Sequence, residues 1–233
     1  QNTSGKFRPN VEPDCDAVFY LINTVTFKEK WNEIFHSSKQ GTFNSSNGET
    51  DCEFMFSKEI GKISETEEYI KFSKSFEDEF AMTFVLPAEG SSVEKILSDS
   101  QVMTGLFNDN SGTEYDVTAA IPKFSSSSKF SLIETMKNAG VSRIFENSEI
   151  WSLIDPVKNS VSNPRVTMLN HEAVLEIDEN VCEAAAYTLI KEGGSADSPE
   201  PYYFRADRPF LYYISDSNGT PVFIGTVNNP NEK

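Results

Sequence analysis

The stretch from residue 176 to residue 214 most constrains what this chain can fold into. Residues 174–178, which overlap the beginning of this stretch, alternate apolar and polar side chains, as a half-buried strand does. Residues 191–201 are rich in glycine, serine and proline, which are typical of turns and exposed loops. Residues 209–214 form a compact apolar block. The pattern predicts an exposed tether between two segments that are buried in sheets.

A run of small side chains at residues 182–188 lies between the first strand and the tether. If this run is extended, alternate side chains share a face. One face carries Cys182, Ala184, Ala186, Thr188 and Ile190, and the other carries Glu183, Ala185, Tyr187, Leu189 and Lys191. The first face has no charge, so the segment could slide between two strands with this face on a core. Pattern alone favours a short helix or a plain loop, because residues 183–186 have high helix propensity.

The net charge of −16 over 233 residues limits the classes of partner. This length suffices for one large domain or two small ones. The acidic excess argues against nucleic acid, whose phosphates attract Lys and Arg. No apolar run is long enough to span a bilayer, and residues 1–10 lack the apolar segment of a secretory signal. We therefore expect neither a nucleic acid nor a membrane as partner.

The cysteines and the glycosylation tripeptides bear on the compartment. The three cysteines are Cys15, Cys52 and Cys182. They are too few for a disulfide framework, so free thiols are the default and a single bridge remains open. Asn2, Asn44 and Asn218 each begin an Asn-X-Ser/Thr tripeptide. These tripeptides favour a secreted, extracellular glycoprotein, with the cytoplasm as the alternative.

Candidates for catalytic chemistry are few in this sequence. A Ser-His-Asp or Cys-His arrangement would have to use His36 or His171, the two histidines of the chain. His36 lies in a polar stretch typical of a surface, and His171 lies on a predicted strand, where a structural histidine is the usual outcome. The sequence has no Gly-x-Ser-x-Gly elbow, phosphate-binding glycine loop or zinc-spaced Cys/His set. We expect no enzyme, no metal site and no cofactor.

Periodicity predicts the remaining elements. Strands are predicted at residues 17–22, 53–56, 69–72, 80–87, 117–124 and 166–178. Turns are predicted at Gly61-Lys62 and at residues 77–79. Helices are predicted at residues 93–97 and 131–139, and the second ends at Gly140. Without any resemblance to a known family, these features indicate a generic binding module.

Several segments resemble the serpin family, in the family's order and spacing. Residues 179–188 are similar to the hinge of the serpin reactive-centre loop. Residues 204–214, FRADRPFLYYI, resemble the signature that follows this loop, and residues 222–230 resemble the closing strand of the family. Residues 23–31 and 121–124 match two further serpin segments, although Thr24, Thr26 and Glu29 depart from the first.

The resemblance implies an α+β fold of mostly antiparallel sheets with few helices. It implies a single serpin-like domain over residues 1–233, with an exposed reactive-centre loop at about residues 179–203. The resemblance covers residues 3–230 but only the back part of the serpin fold. The helical front part is expected to be absent from this chain. Three interpretations of the chain stay open. It is a fragment of a longer chain, a truncated product that needs the missing N-terminal part as a partner, or a reduced fold.

The function implied by the resemblance is inhibition of serine-type endopeptidases by a suicide-substrate mechanism. A protease attacks the loop and forms an acyl-enzyme. The cleaved loop then inserts as a new strand into the main sheet and distorts the protease before deacylation. Such a mechanism needs a metastable native state, so kinetic stability governs it.

The serpin loop spacing places the reactive bond between Ser195 and Ala196. A small residue before this bond suits an elastase-like protease with a small apolar pocket. Lys191 is the second choice and would suit a trypsin-like protease, but it lies closer to the hinge than the family spacing allows.

The hinge departs from the pattern of inhibitory serpins at three positions. The matching residues are Glu179, Asn180, Val181, Cys182, Glu183, Ala184, Ala185, Ala186, Tyr187 and Thr188. Val181 stands where inhibitory members have Gly, and a β-branched residue narrows the backbone choices that Gly leaves open. Cys182 replaces Thr or Ser, which is a mild change because Cys is small enough to bury, and Tyr187 replaces a small residue on the outward face, the one that carries Glu183 and Lys191. A non-inhibitory member that acts as a binding, carrier or chaperone-like protein therefore stays open.

Four residues match the region where the serpin sheet opens to receive the loop: Trp31, Lys123, His171 and Glu179. A Lys123–Glu179 ion pair is implied by the resemblance. Glu172 stands where family members have a basic residue, which predicts different local electrostatics in this chain.

Overall fold

The computed structural model describes residues 19–108, 111–146, 165–177 and 199–232, which contain eleven strands and four helices. The strands are β1 (Phe19–Phe27), β2 (Ser37–Ser45), β3 (Gly48–Glu65), β4 (Tyr69–Ser75), β5 (Ala81–Pro87), β6 (Thr113–Pro122), β7 (Phe124–Ser131), β8 (Val166–Ile177), β9 (Pro201–Arg205), β10 (Phe210–Ser215) and β11 (Pro221–Val227). The helices are α1 (Val93–Ser98), α2 (Ser100–Asn108), α3 (Ile133–Asn138) and α4 (Arg143–Glu146). No helix among the described residues is both long and apolar enough to cross a membrane.

Contacts along the chain define two compact units. The first unit comprises the described residues of 1–27 and 127–175, and the second comprises those of 28–126 and 176–233. The prediction of a single domain over the whole chain stays a prediction.

The first unit is built on a three-stranded sheet in the order β1-β8-β7. β1 and β8 are parallel and pair without interruption from Tyr20 opposite Met168 to Phe27 opposite Leu175. At the other side of β8, the amide of Leu132 just after β7 donates a hydrogen bond to the carbonyl of Leu169 (2.8 Å). β8 therefore lies in the middle of this sheet, with β1 as one of its neighbours.

The second unit holds an eight-stranded sheet in the order β11-β10-β5-β4-β3-β6-β9, with β2 paired to β3. The parallel pairing of β6 with β9 gives this otherwise antiparallel sheet its mixed character, and β10 is antiparallel to both of its neighbours, β5 and β11. Because β10 has a strand on each side and a covering layer on each face, five consecutive residues from Phe210 to Ile214 are buried. The predicted apolar block is therefore a central strand.

The core of the second unit is organised around Phe210. Its ring centroid lies 5.7 Å from Phe124, 6.2 Å from Phe84 and 6.5 Å from Phe43. These four side chains come from β10, β7, β5 and β2, and all of them are buried. Edge-to-face and tilted aromatic pairs at such distances add to the burial of their apolar area. One residue of the predicted signature thus connects four separate strands.

The predicted turn at Gly61-Lys62 is wrong, because β3 continues through both residues. A Cβ at position 61 would lie 3.0 Å from the ring of Phe72 on β4. The glycine gives this buried ring its space inside a strand, a role that does not require a turn. Gly140, in contrast, follows α3 with a φ of +92°, as expected for a helix-ending glycine.

Lys74 on β4 is a fully buried cation beneath the segment that follows β1. Its Nζ forms an ion pair with Glu59 and lies 5.1 Å from the ring centroid of Phe35 and 5.8 Å from that of Trp31. Burial lowers the pKa of Lys74 below its ordinary value, and the charge of Glu59 opposes this shift. The aromatic faces add attraction for the cation. The ammonium therefore holds together β3, β4 and the Trp31–Phe35 segment.

We expect Lys74→Ala to lower the free energy of unfolding by about 3–5 kcal/mol, because Glu59 would keep a charge with its partner removed. Lys137→Ala is the matched control, since the Lys137–Glu134 pair is exposed and should contribute less than about 1 kcal/mol. Urea unfolding followed by circular dichroism measures both variants. Equal effects of the two substitutions would contradict a structural role of the buried pair.

Candidate functional site

The direct pairing of β1 with β8 is the central feature of the site predicted from the sequence. The two strands are parallel neighbours, with Asn23 opposite His171 and Val25 opposite Ala173. A chain that reverses direction after Ile177, the last residue of β8, would run antiparallel to both strands. A new strand between them would break this single ladder and form two antiparallel ladders, which are slightly more stable for each residue. The strands that carry Tyr20 and Leu175 are direct neighbours in this sheet and pair with no gap between them.

The pairing is reinforced by a side-chain hydrogen bond between the two strands. The side-chain amide nitrogen of Asn23 lies 3.0 Å from His171 Nδ1, which is hydrogen-bond distance. His171 lies in the middle of β8, six residues before Ile177. An entering strand would have to separate these two side chains. His171 therefore has a structural partner on β1.

Glu172 is buried on β8 and has its own cation. Lys129 Nζ on β7 lies 2.8 Å from Glu172 Oε1, and the lysine side chain is 54% exposed. On the other side, Glu172 faces Thr24 on β1 in the ladder. The resemblance implied a basic residue at position 172. Here the acidic residue is neutralised from β7, so the departure has a local compensation.

The two ends of the predicted loop are fixed by different sheets. β8 ends at Ile177 and β9 begins at Pro201, so 23 residues from 178 to 200 connect them. β9 pairs in parallel with β6, from Asp116 opposite Pro201 to Ala120 opposite Arg205. A 23-residue connection exceeds the usual length of a simple loop, and such connections are often functional.

Tyr202 holds β9 in place at the end of the loop. Its hydroxyl donates a hydrogen bond to Glu65 at the end of β3, and its ring lies 5.1 Å from that of Tyr115 on β6. Burial first, and then the contact with Glu65, raise the pKa of the Tyr202 hydroxyl above its ordinary value. The Ala206 amide after β9 also donates to the Ala120 carbonyl at 3.0 Å. The strand after the loop is thus anchored by side chains and backbone.

Two residues of the predicted sheet-opening region lie in the second unit. Trp31 is buried and stacks on Phe76, with ring centroids 4.2 Å apart. Lys123 Nζ forms an ion pair with Glu53 Oε2 at 2.9 Å. A hydrogen bond from Ser38 and then one from Lys123 lower the pKa of the Glu53 carboxyl.

The remaining predicted site residues lie outside the described residues. These are the reactive bond Ser195–Ala196, the second choice Lys191, and the hinge from Glu179 to Thr188. The Lys123–Glu179 pair and the choice between helix and strand at residues 182–188 therefore stay predictions.

The structure adds residues that sequence reasoning did not connect with the site. Glu53 lay within a predicted strand and Asn23 directly after one, but no motif linked them to Lys123 and His171. Strand register decides such pairs, and a sequence without its pairing partners does not reveal the register. Tyr202 was part of the segment before the signature and had no assigned role.

Other candidate groups have structural roles. Cys52 is buried, and burial raises the pKa of its thiol to about 11, which makes it a poor nucleophile at neutral pH. Among the described residues, no group of three or more His, Cys, Asp or Glu side chains is placed to hold a metal ion. Asn218 of the third tripeptide lies in the exposed turn before β11, whereas Asn44 Nδ2 donates to the Asp207 carbonyl at 3.2 Å. Glycosylation and secretion stay predictions.

Comparisons with known proteins support this fold. A family model described as Serpin (serine protease inhibitor) matches residues 1–230. Iripin-2 of Ixodes ricinus is 28% identical over an alignment of 232 positions, and this alignment covers 92% of this chain and 55% of that protein. Alpha-1-antitrypsin 1-4 of Mus musculus is 28% identical over an alignment of 243 positions, and this alignment covers 100% of this chain and 56% of that protein. The crystal structure of the thermophilic serpin tengpin in its native state aligns with a TM-score of 0.74 and 26% identity, over 94% of this chain and 57% of that chain.

The chain therefore belongs to the serpin family, and its mostly β fold with few helices confirms the predicted fold class. It spans about half the length of the curated relatives that it matches. The family is described as one of serine protease inhibitors.

The Asn23–His171 contact generates a double-mutant prediction. Asn23→Ala and His171→Ala should each destabilise the fold, and their effects on the free energy of unfolding should be non-additive by about 1 kcal/mol, the net contribution of a hydrogen bond. Asn32→Ala removes an exposed side chain of the same size and is the control. Urea unfolding of the single and double variants gives the coupling. Additivity within about 0.3 kcal/mol would show that the pair does not stabilise β1 on β8.

Proposed function

We propose that this chain acts as a serpin-type inhibitor of serine endopeptidases, with residues 179–203 as the bait loop. The observation that carries the proposal is the direct parallel ladder of β1 and β8, followed by the 23-residue connection to β9. This arrangement is the one expected before insertion. Cleavage inside the connection frees its first part from β9, so this part can turn back along β8.

The hydrogen bonds of the ladder explain why insertion would be favourable after cleavage. A strand between β1 and β8 bonds to both neighbours, whereas the present pairing uses one set of bonds. Each additional backbone hydrogen bond contributes about 1 kcal/mol net. The uncharged face of residues 182–190 would lie on the core side. In the uncut chain the additional hydrogen bonds cannot form without strain, because β9 fixes the other end of the connection.

A second candidate function is that of a non-inhibitory serpin with a binding, carrier or chaperone-like role. The observation that favours it is the hinge sequence, with Val181, Cys182 and Tyr187 in place of Gly, Thr or Ser, and a small residue. A stiffer hinge slows insertion, and a slow insertion lets the protease complete hydrolysis. The loop would then be cut as an ordinary substrate.

We also propose the front part of the serpin fold as a partner. The matched relatives are nearly twice as long as this chain. Leu21 on β1 and Val222 and Ile224 on β11 are large apolar side chains that are 40–53% exposed. A covering layer over these strands would bury them. We expect co-expression with the front half of a relative to lower the exposure of these three side chains. Slower hydrogen exchange of the backbone amides of β11 would detect the new contact.

Cleavage by two proteases tests the inhibitor proposal. We expect an elastase-like protease to cut between Ser195 and Ala196 and to form an SDS-stable complex, because the small Ser195 side chain fits a small pocket. Ser195→Arg should transfer the reaction to a trypsin-like protease, which binds a cation in its pocket. Mass spectrometry locates the cut, and gel electrophoresis detects the complex.

The control for this experiment is Ser217→Arg, which adds the same charge in the exposed turn after β10. It should leave the reaction with both proteases unchanged. Cutting at Lys191 alone would replace the assigned reactive bond. Failure of both proteases to form a complex would contradict the inhibitor proposal.

The hinge substitution Val181→Gly separates the two candidate functions. We expect it to raise the ratio of trapped to released protease by about fivefold, since a barrier lower by about 1 kcal/mol speeds insertion by that factor. Val141→Gly, in an exposed segment after α3, is the matched control. Densitometry of complex and cleaved bands at several protease ratios measures the partition. An unchanged partition would remove the hinge from the explanation.

A further inference from the structure

A cleft in the second unit has no role in the mechanism proposed above. Its volume is about 320 Å³, near the lower end of the range for small-molecule sites. It lies between β9 and the segment after it on one side and β4 and β5 on the other. The lining residues are Ile70, Leu86, Tyr202, Tyr203, Phe204, Arg205, Asp207 and Arg208.

The walls of the cleft offer polar and apolar surface in about equal amounts. Leu86 and Phe204 are buried, and the Phe204 ring lies 5.3 Å from that of Phe72 in the core. These side chains are fixed by packing and give a preformed surface. Tyr203 is 54% exposed and stands at the open side of the cleft. A short aliphatic or aromatic group fits the apolar part of these walls.

The polar side of the cleft carries two guanidinium groups and one carboxylate. Arg205 Nε lies 3.3 Å from Asp207 Oδ2, and Arg208 Nη1 lies 3.5 Å from Asp207 Oδ1. Both distances exceed the 2.7–2.9 Å of a strong charge-assisted hydrogen bond. One carboxylate is therefore shared loosely by two cations. The lining has a formal charge of +1 in a chain whose net charge is −16.

Both arginines are held in place by neighbours other than Asp207. The Arg205 guanidinium lies 4.5 Å from the ring centroid of Phe54, and Arg208 Nη2 donates to the Pro87 carbonyl at 2.7 Å. About a third of each arginine side chain is exposed. A guanidinium has five N–H donors in a fixed fork, so each retains donors for a ligand.

We propose that this cleft binds a small carboxylate that carries one short apolar group. The carboxylate takes the remaining guanidinium donors, and the apolar group lies on Ile70, Leu86 and Phe204. A polyanion such as a nucleotide fits less well, because Asp207 opposes a second negative charge. The site goes beyond the proposed inhibition, and its test needs no protease.

The ligand would also contact the strand that ends the predicted loop. Four of the lining residues, Tyr202 to Arg205, belong to β9, whereas Ile70 and Leu86 belong to β4 and β5. A ligand that bridges these strands stabilises β9 in its present position by binding to it there. We therefore expect slower hydrogen exchange in β9 when the site is occupied.

The test uses 3-phenylpropionate as the probe, with 3-phenyl-1-propanol and acetate as matched controls. Isothermal titration calorimetry of the whole chain should show binding of the acid. The alcohol should bind at least about tenfold more weakly, because it lacks the charge-assisted hydrogen bonds to the guanidinium groups. Acetate should also bind at least about tenfold more weakly, because it lacks the apolar contact. Equal affinity for the acid and the alcohol would overturn the guanidinium role. Equal affinity for acetate and the acid would overturn the apolar one.

Substitutions locate the site. Arg208→Gln and Ile70→Trp should each weaken binding of 3-phenylpropionate by about tenfold, the first by removing the cation and the second by filling the cleft. Lys95→Gln removes one positive charge from the exposed surface of α1 and should change the affinity by less than about twofold. Circular dichroism checks that each variant is folded. If Arg208→Gln unfolds, Tyr203→Ala at the open side replaces it, and binding that survives both this variant and Ile70→Trp overturns the proposal.

Discussion

The ladder between β1 and β8 is the interaction on which the rest of the molecule's proposed behaviour depends. It satisfies backbone groups of both strands, the Asn23–His171 contact adds a side-chain link between them, and the Lys129–Glu172 pair links β8 to β7 on its other side. A parallel ladder is the weaker of the two kinds of strand pairing. Under the proposed function, an antiparallel strand between β1 and β8, the fourth strand of this sheet, would replace the weaker parallel ladder by two antiparallel ones. The metastability that the proposed function requires would be a matter of barrier height, because chain connectivity would oppose insertion of the uncut loop.

The two ends of the connection from β8 to β9 are held with different strength. β10, just after β9, lies between two strands, and its Phe210 reaches three other aromatic side chains, so this part of the chain is fixed. β9 itself is short and pairs with β6 over five residues, at the end of the described strand order. Tyr202 and its bond to Glu65 compensate for this limited ladder. The cleft described above lies beside β9, and residues of β4 and β5 line its opposite side.

Sequence patterns predicted the strands whose side chains are buried and missed those whose identity depends on their partners. β5 and β10 are apolar runs, and their burial follows from composition. β2 and β7 are rich in serine, SSKQGTFNS and FSSSSKFS, and resemble loops by composition. They are strands because β3 and β8 offer them edges, a tertiary effect that outweighs propensity. Gly61 shows the opposite case, since a residue typical of turns lies inside the longest strand to make room for Phe72. The Asn23–His171 and Lys123–Glu53 contacts depend on register and were beyond sequence reasoning for the same reason.

The two candidate functions share one end state and differ in a rate. In the proposed mechanism, insertion of a cut loop would be favourable for any hinge sequence that can be extended, because the gain would come from backbone hydrogen bonds to β1 and β8 and not from the hinge side chains. Val181 narrows the paths by which the hinge becomes extended, so it raises the barrier more than it changes the product. Whether a protease is trapped depends on insertion being faster than hydrolysis of the acyl-enzyme. A cleaved chain with higher stability but no attached protease would therefore show that the sheet accepts the loop and that the hinge is too slow. The same β1–β8 ladder is thus compatible with both candidate functions, and in the proposed mechanism the hinge residues after Ile177 would decide between them.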